Sequence, residues 1–279
     1  MHRDRSSRPA LFAILTIALT PAIYAQQPTP PADIPPADIP TITTAASDPL
    51  LTRPVEELTP AQILSMQKKL ADWPQLVRYH DDDIAMGEPR PGDARVVFLG
   101  DSITDGWGRG HGKFFPDQPW VNRGISGQTT PQMVLRFQQD VLALHPRAVV
   151  ILAGINDIAG NTGPESLGAI EDNFRSMVSL AKAAHLAVVI SSVLPASHFA
   201  WHPGVDPRAE VVQLNSWLQQ FATEEKLVFL DYYPAMVAAD GGMKPELSKD
   251  GVHPNDAGYA VMEPLARAAV AKALSQPKP

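Results

Sequence analysis

A chain of 279 residues, 44% hydrophobic and 19% charged, has the composition of a folded globular protein rather than a disordered one. Its net charge of -7 counts against a general nucleic-acid binder, which carries a basic face. The absence of cysteine excludes disulfides, a thiol nucleophile and thiolate metal sites.

In chain order, Arg3, Arg5 and Arg8 precede an apolar run, ALFAILTIALTPAIYA, that ends at Ala25. This basic, apolar and small-residue succession is that of a secretory leader, so residues 1–25 are read as a signal peptide cleaved near Ala25. Pro21 and a run shorter than the ~20 residues of a spanning helix argue against a retained anchor. The mature chain is expected to be exported, periplasmic or extracellular, with no stable membrane insertion. Residues 26–57 read as a Pro-rich disordered linker, with PADIP repeated at 31–35 and 36–40, a composition that favours extended chain. A helical segment, 58–85, follows. Its stretch 58–80 has Thr59 as N-cap and Pro60 as first helical residue, and Pro74 should divide it. It is expected to pack on a catalytic domain of residues 86–279.

From Arg95 onward strand-like and helix-like stretches alternate. Strands are predicted at 95–99, 120–123, 148–153, 187–194 and 227–233, and helices at 131–144, 164–185, 208–225 and 256–275. Near-continuous Val, Ile and Leu in the strands fits a sheet covered on both faces. The alternation predicts an α/β protein: a three-layer α/β/α sandwich around a five-stranded parallel sheet.

The loops after parallel strands all leave at the carboxyl edge, where open α/β sheets bind ligands. GDS follows the first strand, NRGISGQTT the second, GINDIAG the third and DGVHPNDAGY the fifth. Each supplies a part that acyl transfer needs. Ser102 offers a hydroxyl, inert until a base takes its proton. His253 is an imidazole, the side chain that ordinarily ionises nearest neutrality. Asp250, three residues earlier, can orient it. The N–H groups of Ser102 and Gly127 and the amide of Asn156 make three donors for an oxyanion. Alone, Ser102 reads first as a helix cap, and GIND reads as a turn. Their joint order after successive strands points to one site.

Other residues leave alternatives open. His198, Trp201 and His202 lie in the loop 195–207 after the fourth strand and are candidates for a substrate pocket or for plain surface. Trp107 and Trp120 are candidates for core or substrate platform. Asp101 and Asp157 read as partners of nearby backbone. No His or carboxylate cluster has metal-ligand spacing, so no metal and no cofactor are expected.

The residues Ser102 in GDS, Gly127 in GISGQTT, Asn156 in GIND and His253 in DGVH, with Asp250 as the acid, resemble the four blocks of the SGNH hydrolases, or GDSL esterases/lipases. The second and third blocks are most similar to the bacterial branch related to platelet-activating-factor acetylhydrolase subunits. The resemblance spans roughly residues 90–275; Ile103 stands where many members have Leu. It implies a flavodoxin-like sandwich, a serine esterase mechanism and no metal. The expected activity is hydrolysis of short-chain, chiefly acetyl, carboxylic esters, with O-acetyl groups on carbohydrates as candidate substrates. The alternatives are an extracellular polysaccharide O-acyltransferase and a non-catalytic carbohydrate-binding protein on the same fold. The expected partner is a small ester or an acetylated carbohydrate; nothing in the sequence sets an oligomeric state.

Overall fold

The computed structural model describes residues 53–276. The expected leader and the linker up to residue 52 lie outside the described residues. The last linker residues, Val55–Glu57, form a single 3-10 turn.

Five strands make one sheet: β1 Val96–Gly100, β2 Trp120–Gly124, β3 Ala148–Leu152, β4 Ala187–Ser191 and β5 Val228–Leu230. Their order is β2-β1-β3-β4-β5 and every pairing is parallel. Every residue of β1 and β3 is buried, as their unbroken apolar runs require of strands covered on both faces. With helices on both sides, the chain has the expected three-layer α/β/α architecture.

Nine helices are described, counted without the 3-10 turns: α1 Pro60–Ala71, α2 His80–Met86, α3 Ser102–Gly106, α4 Thr130–Asp140, α5 Ile155–Ile158, α6 Leu167–Ala183, α7 Arg208–Glu224, α8 Tyr233–Met236 and α9 Asp256–Ser275. Polar side chains start most of the long ones. Thr59 with Gln62 and Thr129 with Gln132 form reciprocal caps, and Ser166 and Asn255 accept the N–H groups of Ala169 and Gly258. α4, α6 and α7 pack side by side, while α9 lies across β3, β4 and β5.

Several boundaries differ from the sequence expectation, among them the end of the helix predicted at 131–144, which stops at Asp140 before a separate 3-10 turn, Leu142–Leu144; at three others a polar partner intervenes. The first helix ends at Ala71, before Pro74, because the Asp72 carboxylate takes the N–H groups of Leu76 and Val77 at 2.8 and 3.0 Å. β4 stops at Ser191 rather than 194: Asn215 holds both the N–H and the carbonyl of Val193, at 2.7 and 2.9 Å. β5 is three residues long: Ser192 Oγ accepts the N–H groups of Tyr232 and Tyr233 at 2.9 and 3.1 Å, and the chain turns into α8.

The segment bearing α1 and α2 is tied to the domain through its own backbone. The amides of Gln132, Gln128 and Gln139 donate to the carbonyls of Trp73, Pro74 and Leu76 at 2.7, 2.8 and 2.6 Å. The buried Tyr79 hydroxyl donates to the carbonyl of Gly124, at the end of β2.

Candidate active site

Sheet register brings the site together. Gly100, Gly124 and Leu152 stand opposite one another, so the chain leaves β1, β2 and β3 at the same level. After β1 it folds straight into α3. A Cβ on Gly100 would lie 2.1 Å from Thr104 Oγ1 and 2.9 Å from the Leu152 carbonyl. Glycine is therefore required by close approach of α3, not by an unusual backbone angle. Asp101 caps α3, its carboxylate accepting the Ile103 N–H at 2.9 Å, in keeping with the local role expected of it. Its other oxygen is buried without a hydrogen bond, and burial pushes its pKa up to about 7.

Ser102, half-buried, opens α3. Its Oγ lies 2.8 Å from His253 Nε2, and His253 Nδ1 lies 2.7 Å from Asp250 Oδ2. The short segment before α9 builds this geometry. Asp250 Oδ1 accepts the N–H groups of Val252 and His253 at 3.0 and 2.8 Å. Ser248 Oγ lies 2.8 Å from the His253 carbonyl and 3.1 Å from Asp250 Oδ1, and accepts the Gly251 N–H. Partial burial would raise the Asp250 pKa. Hydrogen bonds from the His253 N–H, its imidazole and the Val252 N–H outweigh burial and hold the carboxyl well below the usual range. A standing carboxylate at Asp250 draws the proton to Nδ1, which leaves Nε2 as the acceptor facing Ser102.

On the other side stand Gly127, with a φ of 80° that favours glycine, and Asn156, in α5 and only 3% exposed. Among the described residues, the backbone N–H groups of Ser102 and Gly127 have no hydrogen-bond acceptor. Asn156 Nδ2 donates one hydrogen to the Gln128 carbonyl at 3.0 Å, leaving its second free, while its Oδ1 accepts from Asn161 Nδ2 at 2.8 Å. Asn161 Nδ2 also reaches the Gly127 carbonyl at 3.2 Å. Ser126 Oγ donates to Asp105 of α3 at 2.7 Å, linking this loop to the Ser102 turn. Asp157 is buried and takes the N–H and hydroxyl of Thr130 at 2.8 and 2.5 Å, bonding a neighbouring helix rather than its own turn.

Two residues that sequence reasoning passed over hold this side in place. Arg136 is fully buried; it donates to the Gly100 and Arg123 carbonyls at 2.9 and 2.8 Å, to Gln128 at 2.5 Å and to Asp140 at 2.9 Å. It thereby joins the ends of β1 and β2 to the residue after Gly127. Its spacing from Gln132, Met133, Phe137 and Asp140 puts it on the inward stripe of α4, a signal that could have found it. Asn161 carried no such signal.

The loop 195–207 splits the expected pocket set. Trp201 is 40% exposed, donates from Nε1 to Asn161 at 3.1 Å and has its ring centroid 6.0 Å from that of His253. Beside it, Gly127 and Asn161 line a cavity of about 430 Å³ that reaches α1. Neither His198 nor His202 lines that cavity. His202 is 6% exposed, its Nδ1 2.5 Å from the Ala159 carbonyl, so it belongs to the support under the loop. His198 is exposed and lies against Gly251, where a Cβ would come 3.2 Å from its Cε1. Trp107 and Trp120 are core and edge of an aromatic cluster with Phe98 and Phe115, not a substrate platform. Among the described residues, no group of three or more His, Asp or Glu could hold a metal ion.

The chain is similar to known proteins over the region that carries these residues. A family model described as GDSL-like Lipase/Acylhydrolase matches residues 98–261, a span that contains Ser102, Gly127, Asn156, Asp250 and His253. The crystal structure of a GDSL-like lipase from Bacteroides thetaiotaomicron is 40% identical, with a TM-score of 0.70 over 72% of this chain and 100% of that one. Acetylxylan esterase of Geobacillus stearothermophilus is 30% identical over 200 residues, 60% of this chain and 90% of the relative. The isoamyl acetate-hydrolyzing esterase of Saccharomyces cerevisiae is 27% identical over 157 residues, 50% of this chain and 64% of the relative.

Proposed function

Because the chain belongs to the GDSL-like lipase/acylhydrolase family and is a serine carboxylester hydrolase, we propose that it cleaves short-chain, chiefly acetyl, esters through Ser102, His253 and Asp250. The observation that carries the reading is the continuous relay from Ser102 Oγ to His253 Nε2 at 2.8 Å and from His253 Nδ1 to Asp250 at 2.7 Å.

In the proposed reaction, Ser102 Oγ attacks the ester carbonyl as its proton passes to His253 Nε2. The new oxyanion takes hydrogen bonds from the N–H groups of Ser102 and Gly127 and from the free amide hydrogen of Asn156. Collapse breaks the carbon–alkoxy bond, and the leaving alcohol takes the proton from His253. The acyl group now sits on Ser102. A water gives its proton to His253 and attacks the acyl carbon; the free acid departs and Ser102 recovers its hydrogen. Asp250, held as a carboxylate, stabilises the imidazolium formed in each half.

Acetyl preference is supported by the names of two relatives, an acetylxylan esterase and an isoamyl acetate-hydrolyzing esterase. O-acetylated carbohydrate is the substrate class proposed here, and export is proposed on the leader-like residues 1–25. The test is a series of p-nitrophenyl esters of rising acyl length beside acetylated xylan. A continuous acyl groove would add about 0.8 kcal/mol per buried methylene and make kcat/KM climb along the series. The proposal expects a maximum at acetate to butyrate, followed by a fall; a maximum at octanoate or beyond overturns it. Product formation that depends on a saccharide acceptor would instead indicate acyl transfer, and no turnover of p-nitrophenyl acetate would indicate a binding protein.

A further inference from the structure

The cavity beside Gly127 is closed on one side by α1, which precedes the family match that begins at residue 98. Its volume of about 430 Å³ lies toward the small end of small-molecule sites, roughly 300–1,000 Å³. An acetyl methyl needs far less room. The lining is mixed: the side chains of Trp73, Trp201, Met66 and Leu70 stand beside the polar Ser65 and Lys69.

Resting on the acetyl-esterase reading above, we propose that this cavity is the subsite for the alcohol half of the ester and takes a sugar ring, which makes α1 a specificity element. Position supports this. The leaving alcohol collects its proton at His253 Nε2, and Trp201, which lines the cavity, has its ring centroid 6.0 Å from that of His253. Chemistry supports it as well. A sugar ring offers C–H faces to indole rings and hydroxyls to the ammonium and hydroxyl groups beside them.

The wall is also built in advance. The three glutamine bonds to the carbonyls of Trp73, Pro74 and Leu76 start from the Gly127 loop and α4. One of them comes from Gln128, whose carbonyl also holds Asn156. The sugar wall and the oxyanion donors therefore share one frame, so a ring bound against α1 meets the reacting centre at a set distance. Such preorganisation reduces the ordering cost of binding.

The experiment uses the full chain and reads a selectivity ratio: kcat/KM for peracetylated xylose divided by kcat/KM for ethyl acetate, whose alcohol has no ring. Ser65→Trp, on an exposed helix position, fills the cavity, and Trp73→Ala removes an indole face. Thermal unfolding checks that each variant is folded; should Trp73→Ala fail that check, Ser65→Trp alone decides. The ratio is expected to fall roughly tenfold or more in Ser65→Trp, equivalent to about 1.4 kcal/mol, with the change chiefly in KM. An unchanged ratio in folded variants overturns the subsite while leaving the esterase reading intact. A loss confined to long-acyl esters also overturns it, by making the cavity an acyl groove. Failure of the wild-type chain to hydrolyse either ester removes the esterase reading and the subsite together.

Discussion

The bonds that set the proposed acid–base segment close within five residues: Asp250 to His253 spans three and Ser248 to the His253 carbonyl spans five. The bonds that set the proposed oxyanion side span 28 residues from Asn156 to Gln128, 34 from Asn161 to Gly127 and 36 from Arg136 to Gly100. Exposure divides the same way. The side chains of His253 and Asp250 are 37% and 45% exposed, whereas Asn156 and Arg136 are 3% and 0% exposed as residues. A local, solvated segment can lose a side chain without disturbing the core. A buried, long-range network cannot, because each deletion leaves partners unsatisfied in a medium without water. On the first side activity and stability are separable; on the second they are coupled.

The largest effect tests the separable side. Ser102→Ala and His253→Ala should each lower kcat/KM by roughly 10⁴- to 10⁶-fold on p-nitrophenyl acetate, with the double variant little worse than either. Their melting temperatures should stay close to the wild-type value. A His253→Ala enzyme at the wild-type rate, or an unfolded one, would break the comparison. Asp250→Asn should be less severe, a loss of roughly 10²- to 10⁴-fold, because Ser248 and the backbone still shape the segment.

The coupled side should show up first in stability. Arg136→Met strands the Asp140 carboxylate, whose side chain is 1% exposed, and should lower the unfolding free energy by about 3–5 kcal/mol in denaturant titration. A stability loss under 1 kcal/mol would say that the network is incidental. Asn156→Ala should cost roughly 10²- to 10³-fold in kcat, as one oxyanion donor does. It should also lower the melting temperature, since the Gln128 carbonyl and an Asn161 hydrogen lose their partner. Activity loss at full stability would place Asn156 with the separable side.

The smallest effect sharpens the contrast through pH. Asp101 has a folded pKa raised from 3.8 to about 7, chiefly by burial. Between those values the native state holds a proton that the unfolded chain has released, so this group makes stability fall as pH rises from about 4 to about 7. Asp250, held low, works in the opposite sense: its contribution is present above the ordinary carboxylate range and is lost in acid. Asp101→Asn should flatten the decline between about pH 4 and 7 in melting temperature measured across pH. An unaltered slope would assign the decline to other groups.

The amino-acid sequence by itself determined the five strands, because a run such as Val96–Leu99 has few other places to go than a covered sheet. It also determined which residues meet at the edge, since parallel strands deliver all their following loops to one side. The spacing of Asp250 and His253 was legible because three residues on a tight bend suffice to join them. Only the tertiary structure decided which way the loop 195–207 turns its side chains. Trp201 faces the cavity and its neighbour His202 goes under to the Ala159 carbonyl, a choice made by an acceptor more than forty residues away. The same holds for Arg136, which composition alone would put on a surface, and for Asn161, whose three bonds join Gly127, Asn156 and Trp201. It holds again for the wall that α1 raises beside Gly127. Periodicity and short motifs encode what a residue does within a turn or two of its own chain. The directions of buried polar groups are set by partners that only folding brings near.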